Sequence, residues 1–351
     1  MRSVVEVDLT AAADWSPPSG WDKVVVVDSH AGGEPFRLVV DGVPEIPGRD
    51  MIARRRFAQQ NLDHLRKRLM WEPRGHADMY GGWLGPPVSP EAELSVLFTH
   101  NEGFSTMCGH GIIALVKVVL DTGIIAAEDV PSRSVGIDTP AGLVTATAQL
   151  DGGSVTSVRF RNVPSFVARE NLTVDTKDHG VVSCDLAYGG AFYAFVDATT
   201  MGLDPTDVAK LVRAGREIKE RISETAPPRH PEADDLSFVY GVIFVFPPDS
   251  RSHHSRHVCV FADGEVDRSP TGTGVSARLA QLHHAGAVSV GEEISIESVV
   301  GSVFTGRVVD TTSVDGTPAV IPEIGGTAHI TGRSELWFDP DDPLGGGFFL
   351  R

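Results

Sequence analysis

The same order of predicted secondary-structure elements occurs twice along the chain, and this repetition constrains the fold more than any other feature of the sequence. Residues 23–40 predict two strands around a Gly-Gly turn, and residues 181–197 predict a second hairpin of the same kind. A helix follows each hairpin, over about 54–70 and about 206–222, because apolar side chains recur there at helical spacing. Both halves therefore begin with the same three elements.

The second part of each half also matches. A predicted strand at 92–98 leads to a glycine-rich turn and a helix that begins at Cys108. A predicted strand at 237–246 leads to a similar turn and a helix that begins at Thr271. We interpret this pattern as an internal duplication, which predicts a mixed α/β (α+β) fold of two domains of similar build. A chance similarity in the order of elements is the alternative.

The predicted division of the chain has three parts. Residues 1–20 form a surface extension, residues 21–187 the first domain and residues 188–335 the second. The C-terminal segment, about 336–351, can return to the first domain. The extension carries three acidic residues and no extended apolar stretch, so it does not resemble a signal peptide.

Charge and cysteine content argue against several classes of partner. The net charge of the 351-residue chain is −17, which disfavours nucleic acid or an anionic membrane surface as the main partner. No apolar run approaches the roughly 18–20 residues that span a bilayer. Three cysteines are an odd, sparse set and do not make a disulfide framework. These observations predict a cytoplasmic protein with reduced thiols.

The two glycine-rich turns are the candidate functional segments. They read MCGHG at 107–111 and SPTGTG at 269–274, and each leads into a helix. The first turn of a helix presents free backbone N–H groups and the positive end of the macrodipole, which together bind anions. Because glycine lets a ligand approach the backbone closely, we expect a carboxylate-bearing substrate to be held between the two turns.

Cys108 stands at the start of the first of these helices. A helix N-terminus lowers the pKa of a cysteine from about 8.5, in some proteins to roughly 3.5–7.5, so we expect a thiolate that acts as a base or a nucleophile. A buried structural cysteine is one alternative. A Cys-x-His metal pair with His110 is another, but no second ligand pair accompanies it and zinc takes four ligands. We predict no metal here or in the HHSRH segment at 253–257, which we interpret as a polar loop.

Three further features have ordinary structural explanations. Cys184 and Cys259 lie in apolar, strand-like runs and are predicted to be core residues. The GTGVSA segment at 272–277 fits a Gly-x-Gly-x-x-Ala dinucleotide fingerprint. No buried apolar strand leads into it, so we predict no dinucleotide cofactor.

Five segments of the chain together resemble the proline racemase family. In sequence order they are DSHAGGEPFR, EPRGH, MCGHG, YGGAFYAFVDA and DRSPTGTG. They are spread from about residue 28 to about residue 275, so the resemblance covers most of the chain. It implies two pseudo-symmetric halves, each a sheet wrapped around a central helix as in diaminopimelate epimerase. It also implies an active site in the cleft between the halves and no cofactor.

The resemblance also implies the chemistry of the two turns. Racemases and epimerases of this family use two cysteines on opposite sides of the substrate α-carbon, and these correspond to Cys108 and Thr271. A threonine hydroxyl is too weak an acid to replace a thiol near pH 7, so the chain resembles the family's trans-3-hydroxy-L-proline dehydratases. The implied reaction is removal of the α-proton by Cys108 and loss of the 3-hydroxyl to give Δ1-pyrroline-2-carboxylate. Thr271 would hydrogen-bond the substrate or fill space.

Five more residues correspond to substrate-binding positions of the family. Gly109 and His110 would contact the substrate carboxylate from the first half, and Gly272 and Thr273 from the second. Asp267 would pair with the ring ammonium, and a cap of the local turn is the alternative for this residue. The family resemblance also implies a homodimer.

Two other functions stay open on the sequence alone. One is a residual epimerase or racemase acting on 4-hydroxyproline or proline, which would need an acid–base residue at position 271. The other is a non-catalytic imino-acid binding protein, which would need the cleft but no ionised thiol at Cys108.

Overall fold

The computed structural model describes residues 10–12, 14–127 and 130–350, so half of the predicted N-terminal extension lies outside the described residues. Within these ranges the chain forms seventeen strands, five α-helices and two short 3-10 helices. The strands are β1 (Asp22–Ala31), β2 (Glu34–Asp41), β3 (Tyr80–Gly85), β4 (Leu94–His100), β5 (Ser132–Thr139), β6 (Gly142–Asp151), β7 (Ser154–Arg161), β8 (Phe166–Thr176), β9 (Gly180–Tyr188), β10 (Phe192–Asp197), β11 (Val239–Phe246), β12 (Ser255–Phe261), β13 (Glu265–Asp267), β14 (Glu293–Glu297), β15 (Val303–Val314), β16 (Thr317–Gly326) and β17 (Ala328–Phe338). The helices are α1 (Met51–Asn61), α2 (Asp63–Met70), α3 (Gly109–Asp121), α4 (Val208–Thr225) and α5 (Gly272–His284).

Helix α3 is the central helix of the first half. Its side chains are buried on every face except at Lys117 and Asp121, as expected for a helix that is apolar all round. It packs against strands from both ends of the chain, namely β1, β2, β6, β7, β16 and β17. The sheet therefore wraps around α3 and fixes the position of its N-terminus.

Helix α5 has the same place in the second half. It packs against β8, β9, β10, β15 and β16, and its first six residues are all buried. The antiparallel pairing of β16 with β7 joins the strands of the two halves. The predicted mixed α/β fold of two similar halves, each a sheet wrapped around a central helix, is confirmed.

Strand pairing bears on the predicted domain boundaries. Strands β8 and β9, which the prediction assigns to the first domain, belong by pairing to the second, because β9 pairs with β10 and both strands pack against α5. The preceding strand, β7, pairs with β6 and β16, whereas β8 pairs with β9. The return of the chain to the first half begins at Ala328, earlier than the predicted residue 336, because all of β17 pairs with β1.

Most predicted elements agree with the structure, and two differ. The HHSRH segment at 253–257, predicted to be a polar loop, has its last three residues in the buried strand β12. The predicted helix at 54–70 is two helices, α1 and α2, separated at Leu62. Asp50 starts α1, since its carboxylate accepts the N–H of Ala53 at 2.7 Å. No helix in the described part of the chain is long and apolar enough to cross a membrane.

Candidate active site

The N-termini of α3 and α5 meet head to head at the boundary between the two halves. A Cβ atom added to Gly109 would lie 2.6 Å from the Cα of Gly272, and one added to Gly272 would lie 2.8 Å from the Cα of Gly109. Real Cβ atoms do not approach other atoms so closely, so only glycine fits at both positions. The structure thus brings together the two turns that the sequence singled out.

Both helix N-termini present backbone N–H groups to the space between them. The hydrogen-bond ladder of α3 begins with Ile112 N donating to Cys108 O at 3.0 Å, and that of α5 with Val275 N donating to Thr271 O at 2.7 Å. The N–H groups that precede these bonds have no intrahelical partner. Each of the two helices therefore has backbone N–H groups without a helical partner at the end that faces the other helix.

Cys108 is the N-cap residue of α3, in extended conformation. Its sulfur accepts the N–H of Gly111 at 3.2 Å and lies 3.2 Å from Nδ1 of His110. The thiol is buried and lines the cavity between the helices. The position agrees with a catalytic thiol.

The expected lowering of the Cys108 pKa is wrong for this closed structure. Burial raises the pKa of the thiol well above its ordinary value, and the carboxylates of Asp267 and Glu34 raise it further. The N–H of Gly111 and the hydroxyl of Tyr80 act in the opposite direction. Desolvation outweighs the helix terminus here, so the thiol is protonated before a ligand enters.

His110, which was predicted to contact the substrate carboxylate, lies beside this thiol. Its ring is buried and makes an edge contact with Tyr80, with ring centroids 4.9 Å apart. Burial lowers the pKa of the imidazole to about 3, against an opposing hydrogen bond to the carbonyl of Pro35. A neutral imidazole that donates one N–H to Pro35 has its other nitrogen free to accept a proton.

Thr271 occupies the corresponding N-cap position of α5. Its φ of 67° is left-handed, which is unusual for a β-branched residue, and it caps no backbone N–H with its side chain. The residue is 4% exposed, and its Oγ1 has no partner at hydrogen-bonding geometry among the described residues. The hydroxyl nevertheless lies close enough to Asp267 and Cys259 to lower the pKa of each. It is thus a buried polar group with hydrogen-bonding capacity left for a ligand.

Asp267 lies on the wall of the same cavity. Its Oδ1 accepts the N–H of Ser269 at 2.7 Å, so it also serves as the local turn cap that was weighed from the sequence. Burial raises the pKa of this carboxyl to about 6, while hydrogen bonds from Ser269 and Thr271 act against that rise. A buried carboxylate on the wall of a cavity can pair with a cation that enters it.

A second buried carboxyl lies next to Asp267. Glu34 accepts the N–H of Arg268 at 2.8 Å, and burial together with the charge of Asp267 raises its pKa well above the ordinary value. Its Oε1 has no partner among the described residues. Burial and the neighbouring charge of Asp267 therefore both disfavour the ionised form of Glu34.

Three tyrosines and one cysteine of the cavity were not predicted as site residues. The hydroxyls of Tyr80 and Tyr240 lie 3.2 Å apart, and Tyr193 hydrogen-bonds Thr273 at 2.7 Å. Cys259, predicted to be a core residue, is buried but lines the cavity, whereas Cys184 does not. The residues MY after the EPRGH segment and the aromatic run YGGAFYAF were the available signals for two of the tyrosines.

The space between the two helix N-termini is narrow, with a volume of about 10 Å³, which is room for about one water molecule. Its walls carry polar groups of several kinds, listed as Tyr80, Cys108, His110, Tyr193, Tyr240, Cys259, Asp267, Thr271 and Thr273. A larger groove on the second half, lined by parts of β9, β10 and β11, contains neither helix N-terminus. In the described parts of the chain no group of three or more His, Cys, Asp or Glu residues is arranged to hold a metal ion.

The chain is similar to known proteins over nearly its whole length. The proline racemase family model matches residues 26–349. A protein of Burkholderia cenocepacia (strain HI2424) named trans-3-hydroxy-L-proline dehydratase is 46% identical over 93% of this chain and 97% of its own. A protein of Burkholderia multivorans named 3-hydroxyproline 2-epimerase is 46% identical over the same shares of the two chains.

A solved structure is similar as well. The crystal structure of a hydroxyproline epimerase from Agrobacterium vitis, with bound trans-4-hydroxy-L-proline, has a TM-score of 0.89 and 34% identity. The match covers 95% of this chain and 96% of that chain. The similarity extends over both halves and the cleft between them.

Proposed function

Because the chain belongs to the proline racemase family, we propose that it is a trans-3-hydroxy-L-proline dehydratase that releases Δ1-pyrroline-2-carboxylate and water without a cofactor. One observation carries this choice. The two helix N-termini face each other across one small cavity, with a thiol at Cys108 on one side and a hydroxyl at Thr271 on the other. One thiol suffices for an elimination on one face, whereas inversion needs an acid–base group on both.

The stereochemistry of the substrate supports a single base. In trans-3-hydroxy-L-proline the carboxylate and the 3-hydroxyl lie on opposite faces of the ring, so the α-hydrogen and the hydroxyl share a face. A thiolate at Cys108 on that face removes the α-proton, and the resulting thiol protonates the departing hydroxyl. Loss of water leaves an enamine, which tautomerises to the pyrroline product.

The substrate itself would activate the thiol. Burial is the main reason that the pKa of the Cys108 thiol is high, and the ring ammonium beside Asp267 would offset the smaller contribution of the Asp267 charge. The substrate carboxylate near the helix N-termini would raise the pKa of His110 by favouring the imidazolium. Both charges therefore favour transfer of the thiol proton to the His110 nitrogen 3.2 Å away. The thiolate would then form only with a zwitterion in place.

Binding of the carboxylate is assigned to the two helix N-termini. The N–H groups of Gly109 and His110 precede the ladder of α3, and those of Gly272 and Thr273 precede the ladder of α5. Oriented N–H groups outside water stabilise an anion and also the charge that develops as the α-proton leaves. The bond from Thr273 to Tyr193 supports this end of the site.

The tyrosine pair is the best-placed partner for the 3-hydroxyl. Burial raises the pKa of both Tyr80 and Tyr240 well above the ordinary value, so both are neutral donors. The Tyr80 hydroxyl is also close enough to Cys108 to lower the pKa of the thiol. A leaving hydroxyl bound here would sit beside the thiol that protonates it.

Direct assay tests the assignment. Purified protein given trans-3-hydroxy-L-proline should consume it and release the cyclic imine, which o-aminobenzaldehyde detects by its coloured adduct. Trans-4-hydroxy-L-proline and L-proline are the comparison substrates that test the epimerase alternative. The similarity to a protein named 3-hydroxyproline 2-epimerase is a second reason to test this alternative. Inversion of any of these substrates at a rate above imine release would overturn the dehydratase assignment, and binding without turnover would favour a binding protein.

The remaining expectations concern the setting of the enzyme. We propose that the chain acts as a homodimer in the cytoplasm, with a small imino acid as its substrate and no nucleic acid or membrane partner. The acidic net charge of −17 supports the last part. Light scattering coupled to gel filtration tests the dimer, since a monomeric mass at assay concentration would contradict it.

A further inference from the structure

Cys259 is a second thiol in the cavity, and the elimination described above does not use it. It lies in β12, is fully buried, and lines the same space as Cys108 and Thr271. Burial raises the pKa of its thiol well above the ordinary value, with Asp267 adding to the rise. It is therefore a protonated thiol, able to donate rather than accept a proton.

Asp267 is the direct cross-strand neighbour of Cys259. The two residues face each other in the antiparallel pair of β12 and β13, so their side chains project from the same face of the sheet. The buried Thr271 hydroxyl, which has no partner among the described residues, lines the same part of the cavity and lies next to both. This wall thus carries a proton donor, a proton acceptor and an unused hydroxyl.

The second half of the reaction is a proton transfer that such a pair can catalyse. When Cys108 has protonated the leaving hydroxyl it is a thiolate again. The enamine that remains must lose a proton from nitrogen and gain one at C3. This change proceeds slowly in water, but a donor and an acceptor at the site would complete it before the product leaves.

We propose that Cys259 and Asp267 together catalyse the tautomerisation of the enamine to the imine. The Asp267 carboxylate accepts a proton from the ring nitrogen while the Cys259 S–H bond breaks and its proton forms the new C3–H bond. The C2=C3 electron pair makes the bond to that proton, and the nitrogen pair forms the C=N bond. The proton on Asp267 then passes to the neighbouring Cys259 sulfur, which restores both groups.

Deuterium labelling tests this inference, which rests on the proposed dehydratase function. The reaction is run in deuterium oxide with an excess of an NADPH-dependent imine reductase that yields L-proline, and the two C3 positions of the proline are read by NMR. Wild type should place at least 90% of the new deuterium at one C3 position, because the donor reaches one face only. Cys259→Ala should approach equal labelling of the two positions and show a lag between substrate loss and imine reduction.

The controls separate structural from chemical effects. Cys184→Ala removes another buried strand thiol, away from the cavity, and should keep the wild-type labelling. Cys259→Val fills the same space without an exchangeable proton and should behave as Cys259→Ala does, even if the alanine variant is unstable.

Three outcomes would overturn the inference. The first is equal labelling by wild type from the earliest time, with dehydration intact, which leaves the proposed function standing. The second is unchanged labelling in both Cys259 variants. The third is no loss of substrate with wild type, which overturns the proposed function as well.

Discussion

At the scale of single residues, the site depends on which group faces the substrate at positions 108 and 271. The thiol of Cys108 has a neutral imidazole at 3.2 Å, whereas the hydroxyl of Thr271 has no partner at hydrogen-bonding geometry in the described chain. The two sides of the cleft therefore differ in their capacity for proton transfer, although their backbones are alike.

Cys108→Ser should abolish dehydration while leaving substrate binding in place. A serine hydroxyl is a far weaker acid than a thiol, so the base is lost, and we expect kcat to fall by about 10²–10⁴-fold. The measurement is imine release at saturating substrate, with the dissociation constant from calorimetry as control. A rate within tenfold of wild type would exclude the single-thiolate mechanism.

Thr271→Cys should create a detectable inversion activity. The new thiol would stand at the N-terminus of α5, opposite Cys108, and supply the missing acid on the second face of the ring. Wild type given L-proline in deuterium oxide should form no D-proline, and the variant should form some. Chiral chromatography measures both, and steady formation of D-proline by wild type would remove the main support for a dehydratase.

Asp267 should make kcat/KM dependent on pH. Its pKa in the folded protein is raised to about 6, so the carboxylate that pairs with the substrate ammonium is lost below that pH. We expect kcat/KM to fall about tenfold for each pH unit below 6, and Asp267→Asn to raise KM and remove this dependence. A wild-type profile that is flat between pH 5 and 7 would argue against the pairing.

The raised pKa of Asp267 also affects the stability of the free protein. Lowering the pH should weaken substrate binding but increase the free energy of unfolding. Between 3.8, the ordinary value, and about 6 the folded state binds more protons at Asp267 than the unfolded state does. The contribution of this group to the free energy of unfolding therefore rises as the pH falls through 6. Above pH 6 the ionised, buried Asp267 lowers the free energy of unfolding, and pairing with the ammonium of a bound substrate would offset this loss.

At the scale of elements, the contact between α3 and α5 decides the geometry of the site. Gly109 and Gly272 lie backbone to backbone, so the distance between the two helix N-termini cannot change without moving the catalytic groups. Any side chain at either glycine would force the two helix N-termini apart.

Gly272→Ala should therefore impair catalysis more than its size suggests. The added methyl would lie 2.8 Å from the Cα of Gly109 and must displace one helix, and a shift of about 1 Å can cost about 10²-fold in rate. Gly103→Ala is the matched control, because a Cβ there meets nothing within 4 Å. Equal kcat/KM in the two variants would show that the helix contact does not set the geometry.

These elements also show what the sequence could and could not predict. The helices α3 and α5 were predictable, because their glycine-rich starts and apolar runs are local signals. The pairing of β8 and β9 with strands of the second half was not predictable, because the local sequence pattern of a strand does not identify its partner strand.

The same limit applied to the site. Cys259 lies in an apolar run that is typical of a core strand, and only the fold shows that this residue faces the cavity. The raised pKa of Cys108 followed from burial and from Asp267, which is far away in sequence. The motifs predict the positions that we propose as catalytic, but the electrostatics of these positions depend on contacts between the halves.

At the scale of the whole molecule, the two ends of the described chain meet in one strand pair. Strand β17 pairs with β1 over the length of both, and Phe348 pairs with Glu72. The first half is thus completed only by the last strand.

Truncation after Thr327 should prevent folding of the first half. Without β17 the buried strand β1 would lose its hydrogen-bond partner along one edge, and buried backbone groups left unpaired are costly. Truncation after Pro340 keeps β17 and is the control, expected to remain folded with a lower melting temperature. Circular dichroism and solubility measure the difference, and a folded, soluble protein ending at Thr327 would refute the expectation.

The head-to-head arrangement of α3 and α5 makes the empty cleft electrostatically self-repelling. The N-terminus of each helix carries roughly half a positive charge, and the two N-termini point at one another with only glycine backbone between them. A small carboxylate in the cavity beside this contact would stabilise the arrangement, since its negative charge would interact with both helix N-termini at once. The contact between the two halves should therefore be more stable with an anion in the cavity than with water. Carboxylate buffers such as acetate should compete with the substrate for this binding site.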